Sequence, residues 1–299
     1  ESLHMEWDRA QLAALAAVVE EGSFEGAARR LHLTPSAVSQ RIKALESRAG
    51  QVVVRRSRPC LPTRAGEVLV RLAGQVALLE HEAAALLGAP GEGGVLTTTV
   101  AVNADSLDSW FGAALLDLPE TVLLDLRRAD QDRSADLLRD GTAMAAVTSD
   151  GRAVQGCRCV PLGAMRYLAV ASPAFLGRWF GSGVDAGTLA LAPQVAFDAD
   201  DTLQRRFAAQ LGAGGRAPSH RVPAQEAFTA AVRAGIGWGM VPQQAVRELL
   251  VRGALVELSP GRVLDVPLFW QHWKLESAVL GQLTQRVRAA AAAALEPSF

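Results

Sequence analysis

Apolar residues recur at helical spacing in three short stretches near the start of the chain, then along one long run. Between Asp8 and Gly22, the positions of Leu12, Leu15, Val18 and Val19 predict an amphipathic helix that Gly22 stops. Ser23 is suited to cap a second helix that buries Phe24, Ala27, Ala28 and Leu31, and its small alanine pair lets another helix cross closely. Thr34 reads as the N-cap of a third helix, with Pro35 at the first helical position and Val38, Ile42 and Leu45 on the buried face. After Gly50, alternation through residues 51–62 predicts a hairpin.

Thr63 and Gly66 open the long run. Leu69, Leu72, Val76, Leu79, Ala83 and Leu86 follow at alternating steps of three and four, the a/d seam of a coiled coil. A head this small covers such a seam poorly, which predicts dimerisation against a second copy; the alternative is a core helix of the same chain. The glycine-rich stretch Gly88 to Gly94 then reads as a flexible linker.

From Val95 onward, short apolar blocks alternate with helical stretches, which predicts an α/β body with parallel sheets. Candidate strands are Val95–Val102, Val122–Arg128, Ala143–Thr148, Tyr167–Ala171, Gln194–Phe197, His220–Val222, Gly237–Val241 and Leu255–Leu258. The stretch VPLFWQHW returns to the first set, and a helix from Ser277 to Leu295 closes the chain. Two crossovers, near Leu162–Arg166 and Pro267–Trp270, describe a hinged, two-lobed fold of the periplasmic-binding-protein kind. The expected fold class is therefore α/β with a winged helix-turn-helix head, a long linker helix and a two-lobed effector domain. Its domains are 5–62, 63–90 and 91–299, with lobe I at 95–163 and 269–299 and lobe II at 164–268.

Composition narrows the function. With 299 residues, 49% hydrophobic, the chain has enough apolar material for sizeable cores. No run approaches the ~18 uncharged apolar residues of a spanning helix, so no membrane partner is expected. Glu6, Asp8 and Arg9 ahead of the first apolar stretch do not make a signal peptide, and the four residues before Met5 read as an appended remnant. Cys60, Cys157 and Cys159 form an odd set, expected as reduced thiols in a cytoplasmic protein. The spacing Cys157-Arg158-Cys159 without clustered histidines does not make a metal site, and no cofactor is expected.

The net charge of -1 conceals segregation. From Ser23 to Arg71 ten basic residues face three acids, an excess of seven positive charges, and the remainder of the chain carries an excess of eight negative ones. A basic head on an acidic body suggests a polyanion-binding unit joined to one of another kind. The third helix carries Ser36, Ser39, Gln40, Arg41 and Lys43 opposite its apolar stripe. Short polar groups near a helix start, with Gln and Arg long enough to reach base edges, suit the major groove. Thr34, Ser36, Arg29 and Arg30 are placed for phosphates around that helix, Ser23, Pro35 and Thr63 join them as DNA-binding candidates, and Arg55, Arg56 and Arg58 make a basic wing. Trihelical protein-interaction domains share the helical pattern; the turn chemistry, polar third helix and wing together favour double-stranded DNA.

In open α/β sheets ligands sit at the carboxyl ends of strands. Those ends supply Asn103, Asp105, Ser106, Asp130, Thr148, Phe197, Asp198 and Glu226 as effector-binding candidates. Recurrent acids complement a cation, whereas helix N-termini and Ser106 suit a carboxylate, so an amino acid with a basic side chain uses both. Acids at helix starts also serve as ordinary caps and dipole partners. No nucleophile–base pair or phosphate loop accompanies them, which argues against an enzyme.

These residues carry a family resemblance. Phe24, Ala27-Ala28, Leu31, Ser36, Val38-Ser39, Ile42, Leu45-Glu46 and Gly50 match the head pattern of the LysR-type transcriptional regulators, and the likeness extends over essentially the whole chain. The stretches LTPSAVSQRIKALE, RPCLPTRAG, VNADSLDSW and PLFWQHW resemble the branch that controls export of basic amino acids, the ArgP/LysG type. That resemblance implies a homodimer or homotetramer that binds an operator, senses lysine, arginine or histidine, works with RNA polymerase and activates an exporter gene. Two departures stand out: Pro35 where many relatives have Gln, and VVVRRSRP without the aromatic residue that often precedes the wing arginine.

Overall fold

The computed structural model describes residues 6–87, 96–116, 118–129 and 131–297. The predicted linker 88–94 and Asp130 lie outside the described residues. By contacts the chain divides into two compact units. The first holds the described residues up to Asn103, Leu115–Val160 and Phe269–Val287; the second holds Ala104–Ala114, Pro161–Leu268 and the end from Arg288.

The first unit begins with three helices. α1 (Arg9–Glu21) starts where the Asp8 carboxylate accepts Gln11 N–H at 2.9 Å and ends at Gly22, φ 64°. Ser23 caps α2 (Phe24–Arg30) by accepting Gly26 N–H at 3.0 Å, and Thr34 caps α3 (Pro35–Ala49) by accepting Ala37 N–H at 3.2 Å. Each cap satisfies a helix-start donor that would otherwise have no partner. Leu12, Leu15 and Val18 pack with Ala27, Ala28, Val38, Ile42 and Leu45 in one core. A short antiparallel wing follows, β1 (Val54–Arg55) with β2 (Leu61–Pro62).

The long helix α4 (Arg64–Leu86) is the first correction to the sequence reading. Its Leu69 is buried in the head core beside Val70 and Ala73, and Leu72 packs against that core. α1 lies along the first half of α4, so two of the six seam residues already have a partner within the chain. Val76 is half-buried, whereas Leu79, Ala83 and Leu86 remain exposed.

Two clamps hold α4. On the wing side, Thr63 Oγ1 donates to the Val52 carbonyl at 2.7 Å, and a Cβ on Gly66 would fall 2.0 Å from the Val53 oxygen, so only glycine allows this approach. On the other side, the Arg71 guanidinium donates to the carbonyls of Leu138, Arg139 and Gln155 at 3.1, 2.7 and 2.7 Å. Gly141, at φ 79°, gives Arg71 room, because a Cβ there would stand 2.6 Å from the Arg71 nitrogen.

β3 (Leu96–Val102) leads into α5 (Ala104–Leu107) and a 3₁₀ turn at Phe111–Leu115. β3 runs parallel to β4 (Val122–Arg128) and, after α6 (Gln131–Arg139), to β5 (Ala145–Thr148). β6 (Cys157–Ala171) then carries the chain into the second unit. There follow α7 (Pro173–Trp179), α8 (Ala186–Leu191), β7 (Gln194–Ala196), α9 (Leu203–Gln210), β8 (Ser219–Arg221), α10 (Gln225–Arg233), β9 (Gly239–Pro242), α11 (Gln243–Val251) and β10 (Val256–Glu257). β11 (Val263–Trp273) returns to the first unit, and α12 (Ala278–Ala294) closes the chain.

The expectation of wholly parallel sheets is corrected. β7 and β8 are parallel, but β6 pairs antiparallel with both β9 and β10, and β11 pairs antiparallel with β5. The two long strands that change units run against their neighbours, which a βαβ reading of short blocks does not reveal. Leu168, Val170, Val195, Phe228, Val232, Val241, Val246 and Leu255 form the core of the second unit. No helix among the described residues is long and apolar enough to cross a membrane, and no cluster of metal-ligating residues occurs among them.

Candidate functional site

The head presents its polar residues on α3 and the wing. Val38, Ile42 and Leu45 are buried, which turns Pro35, Ser36, Gln40 and Lys43 to solvent; Ser39 is half-buried. Arg41 departs from expectation. It precedes Ile42 in the helical rotation, so it lies on the flank, half-buried, and not on the exposed face. Thr34 Oγ1 caps α3 and stands 3.0 Å from Ser36 Oγ, so the two hydroxyls form one polar group at the helix start.

Arg29 and Arg58 are exposed, with no ion pair among the described residues. Arg30 is paired with Glu20 and reaches Glu21 at 3.7 Å, which neutralises it and removes it from the phosphate-side set. Within the wing, Arg55 donates to the Pro62 carbonyl at 3.2 Å and Arg56 lies over the Phe24 ring at 5.0 Å. These contacts aim the two side chains while leaving their charge in place. Ser23, like Thr34, uses its hydroxyl oxygen as a cap acceptor, whereas Thr63 both accepts the α4 cap bond and donates to the Val52 carbonyl. The Thr63 hydroxyl has no donor left for a phosphate.

The effector-site candidates behave differently from one another. Asp105, in the first turn of α5, accepts a hydrogen bond from the Tyr167 hydroxyl of β6 at 2.5 Å. Burial raises the Asp105 carboxyl to about 6, against the pull of the Tyr167 hydrogen bond, with Asp201 and Asp108 adding to the rise. Tyr167 is itself raised well above the usual phenol value, first by burial and then by Asp105. The same unit therefore keeps a desolvated carboxyl with a second carboxylate acting on it, which is the electrostatic complement of a cation.

Ser106 is fully buried and its hydroxyl has no hydrogen-bond partner among the described residues; in the first unit, the side-chain oxygen of half-buried Asn103 likewise has none among them. Buried polar atoms without partners are costly unless something binds them. Thr148 is occupied, its hydroxyl accepting Asp150 N–H at 3.1 Å. Asp198 is a turn former: one of its oxygens accepts Asp200 and Asp201 N–H at 2.8 and 2.9 Å. Phe197 is half-buried and donates its N–H to Asp201. Glu226 stands exposed in the first turn of α10, the position of an ordinary dipole partner.

Sequence reasoning missed Tyr167 and Asp201. Tyr167 is the chain's only tyrosine, a signal the strand-end rule does not weigh. Asp201 lies three residues beyond the acid that rule selects.

Comparison with known proteins places this geometry. A family model described as the bacterial regulatory helix-turn-helix protein, lysR family, matches residues 10–67, and one described as the LysR substrate binding domain matches residues 105–292. The chain is 52% identical over 287 residues to the HTH-type transcriptional regulator LysG of Mycobacterium tuberculosis, covering 95% of this chain and 93% of that one. The crystal structure of ArgP from Mycobacterium tuberculosis matches with a TM-score of 0.88 at 50% identity, covering 98% of this chain and all of that one. The full-length LysG of Corynebacterium glutamicum with bound effector Arg matches with a TM-score of 0.78 at 38% identity, covering 97% and 100%.

Proposed function

Because the chain belongs to the LysR family of DNA-binding, oligomeric transcriptional regulators, we propose that it senses a basic amino acid and controls an exporter gene for it. The single observation that supports this is the half-buried Asp105 carboxyl, bonded to Tyr167, raised by desolvation and acted on by Asp201 and Asp108. A guanidinium or ammonium group offers it the counter-charge that burial denies it. The α-carboxylate of the same ligand suits the unpartnered Ser106 hydroxyl and the N-terminal amides near it. Arginine is the first choice, since a relative carries it as effector.

In the head, Ser36, Ser39 and Gln40 serve as base-side contacts. Arg29, Thr34, Lys43, Arg55, Arg56 and Arg58 serve as phosphate contacts, with Pro35 fixing the helix start. A two-fold assembly through the rest of the seam, half-buried Val76 with exposed Leu79, Ala83 and Leu86, matches two half-sites of an operator. In this reading 5–62 is the head, 63–90 the linker and 91–299 the effector domain. The protein acts in the cytoplasm, as a dimer or tetramer, with RNA polymerase as its partner at the promoter.

Titration calorimetry on the full-length protein with L-arginine, L-lysine, L-histidine and L-leucine tests the assignment. Binding of a basic amino acid, absent for leucine and lost in Asp105→Asn, is the expected outcome. Equal heats for the variant and the parent chain would remove Asp105 from the site. A hit on leucine alone would replace the effector class.

A further inference from the structure

The second unit holds another concavity whose chemistry is opposite to that around Asp105. α8, α9, the loop that follows α9 and the β7–β8 pair enclose a cavity of about 300 Å³. Small residues make the space: Ala190, Ala196, Ala208, Ala213 and Gly214 line it where larger side chains would fill it. The parallel register sets Gln194 beside Ser219 and Ala196 beside Arg221, and all four line the cavity from one face of the pair.

Three arginines border this space from three different elements: Arg205 on α9, Arg216 on the following loop and Arg221 on β8. Among the described residues none of the three takes part in an ion pair or a side-chain hydrogen bond. Two carboxylates also reach the cavity wall, but both are engaged elsewhere. Asp198 holds the Asp200 and Asp201 amides. Asp201 accepts Leu203 N–H at 3.0 Å through one oxygen, and Phe197 N–H at 2.9 Å and Gln204 Nε2 at 3.1 Å through the other. They fix the loop ahead of α9 and do not pair with the guanidinium groups.

The loop itself adds donors. A Cβ built on Gly214 or Gly215 meets nothing within 4 Å, so the backbone there is open. The amides of Gly214, Gly215 and Arg216 donate to no backbone acceptor among the described residues. The three arginines are exposed at the border of one cavity; like charges so placed repel one another unless a shared anion joins them, and the planar fork of arginine matches carboxylate and phosphate oxygens in pairs.

We propose that this cavity is a binding site for a compact, multiply charged anion, a phosphate monoester or a small polycarboxylate, distinct from the basic-amino-acid site around Asp105 although the two share Asp201. A volume near the lower end of ordinary small-molecule pockets limits the ligand to metabolite size. The proposal does not depend on the Asp105 assignment, because it rests on Arg205, Arg216 and Arg221.

The experiment is a thermal-shift and calorimetric titration of the full-length protein with inorganic phosphate and with citrate, against sodium chloride at matched ionic strength. One of the two anions should raise the melting temperature at concentrations where chloride does not. The double variant R205A/R221A should weaken that binding about tenfold or more while leaving L-arginine affinity unchanged. Phosphate alone as the hit assigns a phosphate-bearing ligand, and citrate alone a polycarboxylate. Should the double variant fail to fold, R216A, with its side chain on an exposed loop, carries the same expectation. A shift matched by chloride, or one that survives the arginine substitutions and disappears when Arg29 and Arg58 of the head are replaced, overturns the proposal.

Discussion

The head and the second unit both present polar groups for recognition, and they build them in opposite ways. In the head, Gln40, Lys43, Arg29 and Arg58 stand in solvent on a rigid trihelical frame, so exposure costs nothing and each charge acts alone. In the second unit, the half-buried Asp105 is bonded to the buried Tyr167, and desolvation raises its carboxyl to about 6. A polyanion needs many exposed positive charges and tolerates imprecision. A small ligand needs few groups, desolvated and aimed, and the ligand-free protein carries the cost of holding them.

The sharpest way to break this contrast is Asp105→Asn. The folded carboxyl titrates near 6, above its unfolded value of 3.8. The folded chain therefore binds the extra proton between those values, and its stability falls as pH rises through that window. A rise of that size corresponds to a loss of at most about 3 kcal/mol by pH 7. The asparagine variant keeps an acceptor for Tyr167 and never ionises. It should melt higher at pH 7, by up to about 3 kcal/mol in stability, and show a shallower profile between pH 4 and 6, the part left by the raised Asp140 carboxyl remaining. Denaturant unfolding across that range reads both effects. A variant that tracks the parent chain at every pH would mean that Asp105 is not a destabilised group.

A second change acts on the head's frame and spares its charges. Gly66→Ala would place a Cβ 2.0 Å from the Val53 oxygen, at the point where the wing meets α4. Backbone oxygen cannot swing aside as a flexible side chain would, so the wing must shift. The expected cost is about 1–3 kcal/mol, appearing in the head and as weaker DNA binding, with arginine affinity intact. Loss of both functions together would show that the wing contact supports more than the head.

How much of each region could be read in advance follows the same contrast. The head is made by neighbours in sequence. Ser23, Thr34, Gly22 and Gly50 act at the helix ends where their types predict, and the buried stripe of α3 fixes which residues face out. Where the reading failed there, a distant segment intervened: α1 covers Leu69 and Leu72, and Glu20 takes Arg30. Periodicity reveals that a helix face is apolar and is silent on what covers it. The candidate ligand site is made by residues far apart in sequence. Asp105 meets a tyrosine 62 positions later, and the acids acting on it are Asp201 and its neighbour Asp108, whereas Asp198, chosen by the strand-end rule, closes a turn with the Asp200 and Asp201 amides. Sequence position can nominate one wall of such a site; the opposing wall needs the fold.

The mildest change sharpens the distinction within the head itself. Gln40 projects from the exposed face of α3, whereas Arg58 stands on the wing with no ion pair among the described residues. Arg58→Ala removes one exposed cation, so binding should weaken by a similar factor on cognate and random DNA, with a salt slope shallower by about one. Gln40→Ala removes no charge, so its loss of about 1–3 kcal/mol should be confined to the cognate site at an unchanged slope. Titrations of both variants at several salt concentrations separate the two behaviours. If Arg58→Ala discriminates between sequences, the wing reads groove shape as well as phosphate. The exposed charge would then share the directed character that otherwise marks the buried site of the second unit.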